Sequence, residues 1–197
     1  MDNQLEKQEI ALNTEKNRAK QKSLKIVEVN EKAIKHFVET HGGDSNEKHW
    51  VLYNIRWAGD YPLFTFGGST CLIPVFINNT TGQIGLGHLP YVFVDHEKLK
   101  IPKTKEEAKF EEARNRLSNN GPDWEMLLFG GKPYDESEKA KRLSEINAKK
   151  VIKMFSKIGV KCTDYTSKDP KVGIEGIIVD PNILEVQVCY SETEIGQ

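Results

Sequence analysis

The stretch that decides the fold opens with Cys71-Leu72-Ile73-Pro74-Val75-Phe76-Ile77, turns through Asn78-Asn79-Thr80-Thr81-Gly82, and returns as Gln83-Ile84-Gly85-Leu86-Gly87-His88. The first part is apolar and partly β-branched, the middle is turn chemistry, and the whole reads as a β-hairpin. A turn centred between Asn79 and Thr80 sets Cys71 directly opposite His88. Opposed residues of an antiparallel pair have Cα atoms roughly 4.5–5.5 Å apart and side chains on one face. A thiol then lies beside an imidazole, the arrangement a cysteine nucleophile needs. Register governs this pairing, because a one-residue slip sends the two side chains to opposite faces. Pro74 lacks an N–H and points to an edge strand or a bulge.

On the N-terminal side, Trp50-Val51-Leu52-Tyr53-Asn54-Ile55 and Leu63-Phe64-Thr65-Phe66 read as strands. Asn30 caps a short helix over residues 31–40, stopped by Gly42-Gly43. Residues 1 to about 28 are polar, without Gly or Pro, and read as a thinly amphipathic helix or a solvated arm, with partner docking as the functional alternative. On the C-terminal side, Tyr91-Val92-Phe93-Val94 is a further apolar run. Thr104 and Glu107 form a capping box for a helix over 105–118, ended by Asn119-Asn120-Gly121-Pro122. Trp124 to Phe129 reads as a buried strand closed by Gly130-Gly131. The longest helix spans 136–158, with Leu143, Ile146, Val151, Phe155 and Ile158 as its apolar stripe. A strand over 160–165 and a hairpin about Asp180-Pro181-Asn182 complete the chain. Strands outnumber helices and are often hairpin-connected. That predicts a single-domain α+β fold, with mixed or antiparallel sheets packed against helices and a polar helical N-terminal extension. The extension covers 1–45 and the compact domain 46–197.

Composition excludes some functions. The 197 residues suit one domain, which at this size buries roughly 70% of the surface of its unfolded chain. A net charge of −1 gives no electrostatic footprint for nucleic acid. No apolar run approaches the roughly 20 residues of a membrane span, and Met1 to Lys7 lack a signal-peptide core. Cys71, Cys162 and Cys189 form no disulfide framework and no CxxC, which points to a reducing compartment: the cytoplasm, or a host cytosol for a delivered effector.

Before the cysteine stands Thr65-Phe66-Gly67-Gly68-Ser69-Thr70. Paired glycines permit a tight path with positive φ that exposes backbone amides. Amides of Gly67, Gly68, Ser69, Thr70 and Cys71 then become candidates for an oxyanion hole. An imidazolium beside Cys71 would hold it as thiolate, and Thr65 is the candidate to orient the His88 ring. A cysteine among apolar residues also reads as a small buried hydrophobe, so residue types leave both readings open. Asn147, on the apolar stripe of its helix, reads as a buried amide tying down a loop, with direct site support as the alternative. His36, His41 and His49 lack metal-ligand spacing. Glu106, Glu107, Glu111 and Glu112 read as a solvated helix face, and Cys162 and Cys189 as buried strand residues.

The segment around Cys71 resembles CheD, the bacterial chemoreceptor glutamine deamidase family. There a Thr precedes a Gly- and Ser-containing turn and a Cys six positions on, and a His follows the Cys by seventeen; Thr65, Cys71 and His88 keep both spacings. The family's His-x-x-Leu-Pro is shortened here to His88-Leu89-Pro90. Leu128-Phe129-Gly130-Gly131 resembles its Phe-Gly-Gly strand end, Ser144-Glu145-Ile146-Asn147 its Gly-x-x-Asn with Ser for Gly, and Cys162 to Val188 its last three strands without their paired glycines. The resemblance covers roughly residues 50–190.

It implies an α/β/α-type sandwich and hydrolysis of a protein glutamine side chain to glutamate with release of ammonia, through Cys71, His88 and Thr65. The same chemistry occurs in deamidase toxins related to cytotoxic necrotizing factor. No metal or organic cofactor is implied. The implied partners are a protein presenting an exposed Gln, whether chemoreceptor or host protein, and a protein regulator such as the phosphatase that family members bind. Two alternatives stand beside the deamidase: a non-catalytic binding module of the same fold, and a cysteine hydrolase acting on a small substrate.

Overall fold

The computed structural model describes residues 24–41, 48–58, 60–67, 70–90, 104–121, 123–167 and 172–192. In chain order the elements are β1 (Lys25–Glu28), α1 (Glu31–His41), β2 (Asn54–Ala58), β3 (Leu63–Phe66), β4 (Leu72–Asn78), β5 (Ile84–His88), α2 (Lys105–Asn119), β6 (Trp124–Gly130), α3 (Glu138–Ser156), β7 (Lys161–Asp164), β8 (Val172–Asp180) and β9 (Glu185–Glu192). They build two sheets, one in the order β1-β9-β8-β3 and one in the order β2-β5-β4-β6-β7. Within each sheet one pair is parallel, β1 with β9 and β6 with β7, and the rest are antiparallel. The fold is α+β in a single domain, as composition and hairpin spacing predict.

The layers follow from side-chain alternation. Ile73, Val75 and Ile77 of β4 and Ile84 and Leu86 of β5 point inward. There they meet Leu63 of β3, Ile177 and Val179 of β8, and Val186 and Val188 of β9. The opposite face of the larger sheet presents Leu72, Phe76, Met126 and Leu128 to Phe110, Ala113 and Leu117 of α2 and to Ala148, Val151 and Phe155 of α3. The outer face of the smaller sheet packs Phe64, Ile178 and Cys189 against Ile34 of α1. The order is helix, sheet, sheet, helices, four layers where the resemblance implies an α/β/α sandwich.

Local chemistry accounts for the boundaries. The Asn30 side chain accepts from the Ala33 amide at 3.1 Å. Thr104 and Glu107 form the expected reciprocal capping box, which buries Glu107 instead of leaving it on a solvated face. Ser137 caps α3 through the Ala140 amide at 3.2 Å. Gly42-Gly43, Pro122, the run 91–94 and residues 1–23 lie outside the described residues.

Several expectations are corrected. Residues 25–28, expected in a polar arm or helix, form a strand parallel to β9. The strand expected from Trp50 begins only at Asn54, because Tyr53 takes a left-handed φ of 50°; Trp50 makes an isolated bridge to Phe64. Leu143 and Ile146 are exposed, so the buried face of α3 runs instead through Ala140, Asn147, Ala148, Val151 and Phe155. Cys162 is only partly buried. Pro74 lies in a central strand, neither at an edge nor at a bulge. Its ring packs where a Gly87 Cβ would stand, 2.7 Å away, so the glycine opposite makes room for it.

Candidate active site

The inter-sheet layer ends at one edge in three polar side chains. Thr65 follows Leu63 on β3, Cys71 precedes Ile73 on β4, and His88 follows Leu86 on β5, each two residues from an inward apolar neighbour. The period of a strand turns Thr65 and His88 toward the same interior face, and Cys71, one residue before β4, continues that alternation. The hairpin register differs from the expected one by two residues. Val75 pairs with Leu86 and Leu72 with Leu89, which sets Cys71 opposite Pro90. The reason is Asn78: it stays in the strand while its Oδ1 accepts from the Thr80 and Thr81 amides at 3.0 and 2.8 Å, so the turn begins later. An even shift preserves the face, leaving Cys71 and His88 as diagonal neighbours, a relation that spans roughly 7–8 Å between Cα atoms. The Cys71 thiol makes no hydrogen bond to a described residue.

Thr65 and His88 are joined directly. Thr65 is fully buried and His88 is 2% exposed. The Thr65 hydroxyl donates to the Val51 carbonyl at 2.6 Å and lies 2.5 Å from His88 Nδ1. A hydroxyl has one proton. With that proton on Val51, the Nδ1–H of His88 must donate to Thr65, and Nε2 keeps its lone pair as a base. The Val51 carbonyl is itself held in place, since the Val51 amide donates to Phe64 at 2.9 Å and the Phe64 amide donates to His49 at 2.9 Å. The Thr65 hydroxyl thus fixes the orientation of the His88 ring, and the Val51 carbonyl fixes the hydroxyl. The Tyr53 ring stands edge-on to His88 with centroids 5.9 Å apart, while its backbone carbonyl accepts from the Lys109 ammonium of α2. Nothing in the sequence marks Val51 or Tyr53 as site residues, because both fall in a run that reads as ordinary strand.

Burial pushes the Cys71 thiol above its ordinary pKa and the His88 imidazole below its own. Desolvation disfavours the charged form of each. Both directions oppose the standing thiolate–imidazolium pair expected from the residues. Burial thus favours the neutral form of both groups over the charged pair.

The turn before Cys71 is only partly available to an oxyanion. Gly67 has a φ of 64°, as its composition predicts, but its amide donates to Glu175 O at 3.0 Å and is removed from the donor set. Gly68 and Ser69 lie outside the described residues. Thr70 is exposed and lines a small, half-open cleft with Gly131, Pro133, Tyr134, Leu143 and Ser144. The Gly130-Gly131 corner takes φ values of 75° and 61°. Gly131 donates to Cys71 O at 2.7 Å, and its own carbonyl accepts from the Ser144 hydroxyl. Gly131 therefore holds the Cys71 backbone, whereas the Gly130 carbonyl accepts from the Ser167 amide at 3.0 Å. Asn147 is fully buried; its Nδ2 donates to Leu143 O of its own helix at 2.6 Å, and its Oδ1 has no donor among the described residues. The loop tie expected of Asn147 is made instead by Ser144, one turn earlier.

Among the described residues no group of three or more His, Cys, Asp or Glu is placed to hold a metal, and no helix is long and apolar enough to cross a membrane. No protein-family model matches the chain, and no curated protein matches it.

Proposed function

We propose that the protein is a cysteine-dependent protein-glutamine deamidase. The observation that carries the reading is the hydrogen-bonded chain from His88 through Thr65 to Val51 O, which leaves His88 Nε2 a base on the face that also bears Cys71. In this reading Cys71 Sγ attacks the glutamine Cδ, an S–C bond forms, and the thiol proton passes to His88. The tetrahedral oxyanion collapses, the C–N bond breaks, and ammonia leaves with the proton from His88. Water then adds to the thioester with His88 as base, the S–C bond breaks, and glutamate and the free thiol are released. Substrates of the matching chemistry are chemoreceptors or other proteins with an exposed glutamine, including host proteins for a delivered effector.

A non-catalytic binding module is the second reading, favoured by the absence of a hydrogen bond between the Cys71 thiol and His88. Iodoacetamide labelling of Cys71 across pH separates the two in wild type and His88→Ala. A catalytic site gives a profile with an inflection from His88 that the variant loses. A binding module gives superimposable profiles. A labelled, His88-dependent thiol then justifies a mass-spectrometric search for Gln-to-Glu conversion in candidate proteins, with Cys71→Ala as the blank.

A further inference from the structure

The ladder between β4 and β6 runs from Asn78 opposite Trp124 to Leu72 opposite Gly130. One step further it brings Cys71 opposite Gly131. Leu72 exchanges both of its bonds with Leu89 of the other neighbour, its amide donating at 3.0 Å and its carbonyl accepting at 3.0 Å. Alternation along a strand therefore turns both Cys71 groups toward β6. Half of the expected pair is made, the Gly131 amide donating to Cys71 O at 2.7 Å. The other half, Cys71 N–H to Gly131 O, is missing. Gly131, at φ 61°, gives its carbonyl to the Ser144 hydroxyl of α3 instead. The Cys71 amide is left with no acceptor among the described residues, beside the cleft that Thr70, Gly131 and Ser144 line.

We propose that Ser144 is a positioning residue that takes the Gly131 carbonyl out of the β4–β6 ladder and so frees the Cys71 amide to serve as the oxyanion donor. A buried ladder amide and an oxyanion donor are alternatives for the same N–H, and Ser144 decides between them. The inference rests on the deamidase reading. Gly131 cannot be exchanged for another residue to the same end, since a Cβ there would meet Leu72 at 2.9 Å in a left-handed backbone.

Two probes isolate the effect in the full chain. A glutamine-derived peptide aldehyde forms a hemithioacetal: an S–C bond forms, the carbonyl π pair moves to oxygen, and the thiol proton reaches that oxygen through His88. Its affinity reads the oxyanion donor. Iodoacetamide displaces iodide without an oxyanion, so its rate reads the thiol alone. Ser144→Ala is expected to weaken aldehyde binding by roughly 100-fold, the scale of one lost oxyanion donor. Iodoacetamide labelling and its pH profile should stay within about twofold, and Ser144→Thr should recover most of the aldehyde affinity. By NMR, the Cys71 amide should exchange quickly with solvent in wild type and become protected in Ser144→Ala. Unchanged aldehyde affinity in Ser144→Ala overturns the inference, and so does an equal loss with both probes, which would mean that Ser144 holds the thiol and not the donor. A wild-type thiol that labels with iodoacetamide yet binds no aldehyde overturns the deamidase reading itself, and the inference with it.

Discussion

Thr65 permits the sharpest test, because one hydroxyl serves two buried groups. Thr65→Val keeps the branched shape and replaces the hydroxyl by a methyl. The Val51 carbonyl and the His88 Nδ1–H, now bonded at 2.6 and 2.5 Å, both lose their partner. Each orphaned buried group costs about 1–3 kcal/mol. His88 escapes part of this by moving its proton to Nε2, so its share falls at the low end. The added methyl returns about 0.8 kcal/mol of burial. The net loss is about 1–3 kcal/mol, which for a chain of this size lowers Tm by roughly 2–12 °C. Thr65→Ser makes the opposite exchange, keeping the hydroxyl and removing a buried methyl, at about 0.5–1.5 kcal/mol. Urea unfolding should therefore rank wild type above Ser and Ser above Val, with the slope m unchanged. Nitrogen-15 NMR of the imidazole should show the Nδ1–H tautomer in wild type and Ser and its loss in Val. A Val variant as stable as the Ser variant, with its tautomer intact, refutes the hydrogen-bonded chain and removes the main support for a base at His88.

Two further outcomes follow from the same structure. Burial holds His88 below its ordinary pKa, so between the folded and the ordinary value the unfolded chain binds the extra proton; stability should fall as pH drops below about 6.5, and His88→Gln should flatten that slope in urea titrations at stepped pH. A Cβ at position 85 would stand 2.6 Å from the Trp57 ring, and Gly85→Ala should destabilise by about 1–3 kcal/mol, seen as a lower urea midpoint together with a shift in tryptophan emission.

The hairpin, the inward row of alternate residues and the helix caps were legible in the chain because each depends on residues within a few positions of one another. Thr104 with Glu107 announces α2 through local hydrogen bonds alone, and the even spacing of Leu63 with Thr65 and Leu86 with His88 already assigns Thr65 and His88 to the core face. Cys71, His88 and Thr65 became candidates through the hairpin pairing and the spacing of the resemblance, and the structure joins Thr65 to His88.

Other features had no local signature. The two-residue offset of the hairpin came from Asn78, whose side chain holds the turn while its backbone stays in the ladder, and spacing alone cannot choose between an Asn that pairs and one that turns. The Val51 carbonyl reaches Thr65 only because residues 49–51 fold back along β3. Ser144 meets Gly131 because α3 packs across the end of β6. The layer count was likewise a tertiary matter, because period-two alternation says that one strand face is buried but not whether a helix or a second sheet covers it. Alternation and capping are properties of one segment and survive being read in isolation. Register, carbonyl orientation and the partner of a buried hydroxyl depend on where a second, distant segment comes to rest, and only the packed chain decides that.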